Sequence, residues 1–166
     1  MDARRIRKAC EAKLSTLSLP RPFTVQDFCE SLARDRGRPL HLIPLTTNVA
    51  GPCGLWICTV EADYVFHQVA TSPFHQEHII LHELAHMIFD HAVMRVSADR
   101  LMARLFPDLA PDVVAKVLAR TSYSTEQEQE AETLAGLLGG LVDRRPVPPD
   151  ADHTLARAAD VFGPAT

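Results

Sequence analysis

The sequence lacks the marks of several protein classes. No segment of the 166 residues approaches the roughly 18 consecutive apolar residues of a membrane span, and the first thirty residues hold no uninterrupted apolar stretch of the secretory kind. The expected location is therefore the cytoplasm. Cysteine is sparse and scattered: Cys10, Cys29, Cys53 and Cys58 include no pair at the two-residue separation of zinc knuckles or redox motifs. They read as reduced thiols, with Cys53 and Cys58 in the core rather than on a metal. There is no basic excess either. A net charge of -4 excludes a chain-wide attraction to phosphate, so direct nucleic-acid binding is not expected. The basic cluster Arg4, Arg5, Arg7 and Lys8 reads as a solvated helix face. Aromatics make up only 6% of the chain, which a helix-rich fold tolerates, and there is no internal repeat or low-complexity tract.

What remains is an ordinary globular composition, 46% hydrophobic and 23% charged. A chain of this length fits one domain that buries about 70% of its unfolded surface and needs no disulfide.

Apolar residues Ile6, Ala9, Cys10, Leu14 and Leu17 recur at helical spacing before the breaker Pro20-Arg21-Pro22. Thr24 caps a second expected helix, with Val25, Phe28, Cys29 and Leu32 on one face and Gly37 as its stop. Three strand-like runs follow, 41–45, 54–60 and 63–69, read as a small antiparallel sheet. The last of them is a candidate edge for holding an extended peptide. Ser72-Pro73 opens a long helix that reaches about His91. Short helices are expected over 98–106 and 111–120, and a longer one over 125–142. A proline-bearing linker over 144–150 leads to a last helix near 151–162. The fold class is α+β.

Chemistry concentrates in His82-Glu83-Leu84-Ala85-His86. Residues four apart on a helix are separated by about 400°, so both imidazoles lie on one face and can reach one metal ion. Glu83, turned by about 100° from His82, lies near the open side of that metal and can serve a bound water. With 8 histidines in the chain, a chance match is roughly a one-in-fifty event, so surroundings matter. Ile79, Ile80, Leu84, Met87 and Ile88 make the helix strongly apolar, and burying two histidines and a carboxylate there is costly without a partner. The competing reading is a polar cluster satisfied by ordinary hydrogen bonds. His78, one turn earlier, is assigned a supporting or exposed position rather than a ligand's.

A catalytic metal usually takes three protein ligands, so one more is needed. Glu126, Glu128, Glu130 and Glu132 precede the stripe Leu134, Leu137, Leu138 and Leu141. At about 100° per residue, Glu130 lies roughly 30° from the centre of that stripe and Glu126 roughly 70°. Glu128 and Glu132 fall on the opposite side. Glu130 is thus expected to face inward as the third ligand.

The pairing of His82-Glu83-Leu84-Ala85-His86 with Glu128-Gln129-Glu130-Ala131-Glu132-Thr133-Leu134-Ala135 resembles the ImmA/IrrE family of metallopeptidases. That family's second motif is Glu-x-Glu-Ala-Asn-x-Phe-Ala followed by paired leucines, and the resemblance spans roughly 54–141. It implies one Zn2+ held by His82, His86 and Glu130, with Glu83 as catalytic base. The chain is expected to form one zincin-like domain over 1–142, with a linker and C-terminal helix over 143–166 packed on it. Within that domain, 1–36 would be helical, 40–69 the sheet, 73–91 the metal helix and 125–142 the third-ligand helix. The implied activity is a regulatory endopeptidase acting on a protein substrate such as a helix-turn-helix transcriptional repressor. Glu132 replaces the family's usual Asn or Asp, Leu134 replaces Phe, and Gly139-Gly140 replaces Met-Pro. The long stretch between His86 and Glu130 is expected to include an inserted helix over the cleft.

An oxyanion formed during hydrolysis needs a donor besides the metal. Tyr123 is the first candidate, with His153 and His91 behind it. Two other functions compete: a zinc-containing binding module or toxin-antitoxin component without proteolysis, and a structural site closed by a fourth ligand. Two His and one Glu also suit several divalent ions besides zinc.

Overall fold

Helix starts fall where side chains can satisfy orphan backbone groups. The computed structural model describes residues 2–19, 22–46, 54–58, 61–91 and 123–144. Helix α1 (Ala3–Thr16) starts at Asp2, whose side chain accepts from the Arg4 N–H. Helix α2 (Val25–Arg36) starts with a reciprocal Thr24–Asp27 capping box and stops at Gly37, whose φ of 64° suits glycine. Strands β1 (Leu40–Leu45), β2 (Gly54–Cys58) and β3 (Asp63–Gln68) follow. Helix α3 (Pro73–Phe89) has Ser72 as cap and proline in its first turn. Helix α4 (Thr125–Gly139) begins with a Ser124–Gln127 capping box. The described residues thus form an α+β fold of four helices and three strands. The helices expected over 98–106, 111–120 and 151–162, and the linker over 145–150, lie outside the described residues.

The sheet order is β1-β3-β2, and it is mixed. β2 and β3 pair antiparallel, with Trp56 opposite Val65, whereas β1 runs parallel to β3, with Leu42 opposite Val65. This corrects the expected all-antiparallel sheet, because alternation and β-propensity reveal a strand without revealing its direction. It also removes β3 as a peptide-holding edge. β3 buries residues on both faces, including Asp63, Val65 and Phe66, and is the central strand. β1, which carries an exposed Pro44, is an edge of the sheet that the described residues form, where a missing N–H costs no ladder bond.

α3 lies at the middle of the fold, against α4, β2, β3 and α2. Its apolar residues Ile80, Leu81, Leu84 and Met87 share one core with Phe28, Trp56, Val65, Leu134 and Leu138. Leu84, Leu134 and Leu138 are wholly buried, each contributing about 1.5–3 kcal/mol relative to exposure. A buried charge pins the sheet to α2. The fully buried Asp63 carboxylate accepts from Arg36 Nε at 2.8 Å and from Trp56 Nε1 at 3.1 Å. Cys10, Cys29 and Cys58 are buried thiols outside any disulfide, and burial pushes the Cys10 and Cys29 thiols up to about 11 and about 12. No helix among the described residues is long and apolar enough to cross a membrane.

Candidate metal centre

The α3 helix puts His82 and His86 one turn apart, and their Nε2 atoms converge to 3.0 Å. Two nitrogens held about 2.05 Å from one ion at a tetrahedral angle would lie about 3.3 Å apart, so the pair is close to a ligand geometry. From α4, the Glu128 carboxylate reaches 3.4 Å from His82 Nε2 and 3.9 Å from His86 Nε2. These three side chains offer ligand atoms all within 4.8 Å of one another, a group that could hold a metal ion. His86 is fully buried and Glu128 is about half-exposed, so the cluster has a buried back and an open front. An open groove of about 530 Å³ between α1 and α4, lined by Ile6, His82, Glu128 and Glu132, passes this front.

Glu83 is buried on the β2 side. Its carboxyl takes a hydrogen bond from the Trp56 backbone, while Oε2 has no partner among the described residues. Loss of solvent, aggravated by the nearby Glu128 charge, pushes its pKa from 4.5 up to about 8. Gly54 makes room for it: a Cβ there would stand 2.6 Å from Glu83 Oε1 and 2.8 Å from Ile79 Cγ2. A buried carboxyl oxygen without a partner among the described residues is costly in the absence of a cation or a bound water to satisfy it, and Glu83 adjoins the ligand candidate His82 on α3. Burial, with the neighbouring His82 and His91 rings, pushes His86 down to about 3, so its ring is neutral and able to ligate.

The glutamates of α4 depart from the sequence-based expectation. Glu128, not Glu130, meets the histidine pair; Glu130 Oε2 instead lies 3.1 Å from His91 Nε2. The reason is the face that α4 buries. Its fully buried positions are Ala131, Leu134, Ala135 and Leu138, whereas Leu137 and Leu141 are only partly buried. Counting the alanines turns the centre of the buried face by about 60°, which leaves Glu128 about 70° from it and Glu130 about 90°. Ala131 and Ala135 were the available signal, because small residues also mark a close helix contact. Glu132 Oε2 lies 3.1 Å from His78 Nε2 and 3.4 Å from His82 Nδ1, and Glu126 pairs with Arg5 on α1 at 2.7 Å. His78 is therefore tied to the site through Glu132.

Tyr123 stacks on His86, with centroids 3.6 Å apart and planes 13° from parallel. Burial and the charges of Glu83 and Glu128 raise its phenol pKa, which places the ring within their field. His91 is engaged by His86 and Glu130, and His153 and Cys53 lie outside the described residues. No family model matches the chain, and no curated protein matches it.

Proposed function

We propose that the chain is a zinc-dependent endopeptidase of the ImmA/IrrE kind. His82, His86 and Glu128 would hold one Zn2+, with Glu128 taking the place expected of Glu130. The observation that carries the reading is the convergence of two imidazole Nε2 atoms and one carboxylate beside the buried, half-partnered carboxyl of Glu83.

A bound zinc ion would polarise the scissile carbonyl and lower the pKa of a water molecule. The chain's own residues supply the rest. Glu83, held by the Trp56 N–H, takes a proton from the attacking water at Oε2 and returns it to the leaving amine. A neighbouring positive charge favours its carboxylate form and so prepares it as a base. Tyr123 is the oxyanion donor in this reading, fixed by its stack on His86. The β2 edge facing away from β3 has no strand partner among the described residues, and β2 is the strand on which Glu83 rests. An extended segment of the substrate would lie along it.

The protein substrate is of the class suggested by the resemblance, a helix-turn-helix repressor, and the site of action is the cytoplasm. The test is incubation of the zinc-loaded protein with candidate repressors, followed by mass spectrometry of fragments. Fragments that vanish on chelation and in Glu83→Gln support the peptidase. Stable complex formation without fragments, unchanged in Glu83→Gln, would replace it with a binding module.

A further inference from the structure

The geometry points to a directed hydrogen-bond relay, Glu130–His91–His86, that presents the His86 Nε2 lone pair to the metal position. This makes His91 and Glu130 positioning residues. The inference rests on the metal reading above only for its use; the relay itself is a property of the metal-free chain.

The fold builds the relay deliberately close to the helix end. α3 terminates at Asp90 in the left-handed conformation, φ 53°, which among non-glycine residues Asp and Asn tolerate best. The reversed chain is then locked by the Asp90 N–H on the Met87 carbonyl and the His91 N–H on the His86 carbonyl, each at 3.1 Å. That turn carries the His91 ring back against His86, where Nδ1 meets Nδ1 at 2.7 Å. The other His91 nitrogen, Nε2, lies 3.1 Å from Glu130 Oε2. His91 is buried and stacks on Phe89 at 5.3 Å, so its ring has little freedom to turn.

Only one arrangement of protons satisfies both contacts with two neutral rings and an ionised carboxylate. A carboxylate only accepts, so His91 Nε2 must carry the hydrogen that faces Glu130. His91 Nδ1 is then an acceptor, so the hydrogen between the rings belongs to His86 Nδ1. His86 Nε2 is thereby left with a lone pair, directed at His82 Nε2 3.0 Å away and towards Glu128. The reverse polarity would set a His91 lone pair against a carboxylate. Metal-binding histidines commonly have their second nitrogen fixed by a carboxylate or carbonyl, and here that function is passed through an intervening histidine.

The experiment is nitrogen NMR on metal-free, isotope-labelled protein, reading the tautomer of His86, together with zinc titration against a chromophoric chelator. His86 should be protonated on Nδ1 in the wild type. His91→Phe keeps the ring but removes the acceptor, so His86 should lose that preference and the zinc dissociation constant should rise about 10–100-fold. Glu130→Gln keeps an acceptor for His91 Nε2 and should preserve the tautomer with a smaller loss of affinity. His86 protonated on Nε2 in the wild type would overturn the relay, and so would zinc binding by His91→Phe within twofold of wild type. A wild type with His86 protonated on Nδ1 that nevertheless binds no zinc would uphold the relay and sink the metal reading.

Discussion

Removing the charge of Glu83 should stabilise the metal-free protein, and increasingly so as pH rises. The Glu83 carboxyl is buried, and its pKa stands at about 8 in the folded chain against 4.5 for the ordinary group. The folded state therefore holds this proton more tightly than the unfolded state does. The contribution is fully present below pH 4.5 and is lost as pH rises through about 8. At about 1.4 kcal/mol per pH unit, the loss amounts to about 1 kcal/mol at pH 5.5 and about 4 kcal/mol at pH 8, where the folded group is half-ionised, and levels off near about 5 kcal/mol above that. Glu83→Gln has no proton to lose there, so its stability relative to wild type should climb by that amount across the range. Other groups, His86 included, cancel in the difference between the two proteins. Urea denaturation in the presence of a chelator, at half-unit steps from pH 5 to pH 8.5, measures it. Saturating zinc should flatten the same curve, since a cation near Glu83 restores the charged form. A constant stability difference between the two proteins across this range would refute the reasoning, because it would mean that Glu83 ionises in the fold as it does in water.

Gly54→Ala would push a methyl group into Glu83 and Ile79; overpacking of this kind costs about 1–3 kcal/mol, readable by thermal unfolding, and displacement of Glu83 should also reduce any proteolysis. Asp63→Ala leaves Arg36 and the Trp56 indole N–H without their shared acceptor and should cost about 3 kcal/mol in urea unfolding, with little effect on zinc affinity. Glu128→Ala should abolish tight zinc binding, whereas Glu126→Ala, which breaks only an exposed ion pair to Arg5, should leave both zinc affinity and stability nearly unchanged by chelator competition and melting. Tyr123→Phe keeps the stack on His86, so zinc affinity should persist while turnover falls; an unchanged turnover would remove Tyr123 from the mechanism.

Much of the scaffold was legible because its signals are local. Thr24, Gly37 and Ser72-Pro73 act on backbone groups within a turn, so helix boundaries could be read from them to within a residue or two. The spacing of His82, Glu83 and His86 fixed their relation on α3 for the same reason. Information that depends on distant partners was harder to read. The direction of β1 is defined only against β3, a strand distant in sequence, and no property of 41–45 encodes it. The choice among the α4 glutamates depends on which side of that helix meets α3, and the leucine stripe is centred away from the face that the small, fully buried alanines share. His91 fell beyond the motif's spacing, and its return to His86 depends on the left-handed turn at Asp90.

The most direct test of the account is a crystal structure of the zinc-loaded protein with anomalous scattering measured at the zinc edge. One ion bound by His82 Nε2, His86 Nε2 and the Glu128 carboxylate, with Glu83 beside it and not on it, is the predicted result. An ion ligated by Glu130, or no ion between the two histidines, would contradict it.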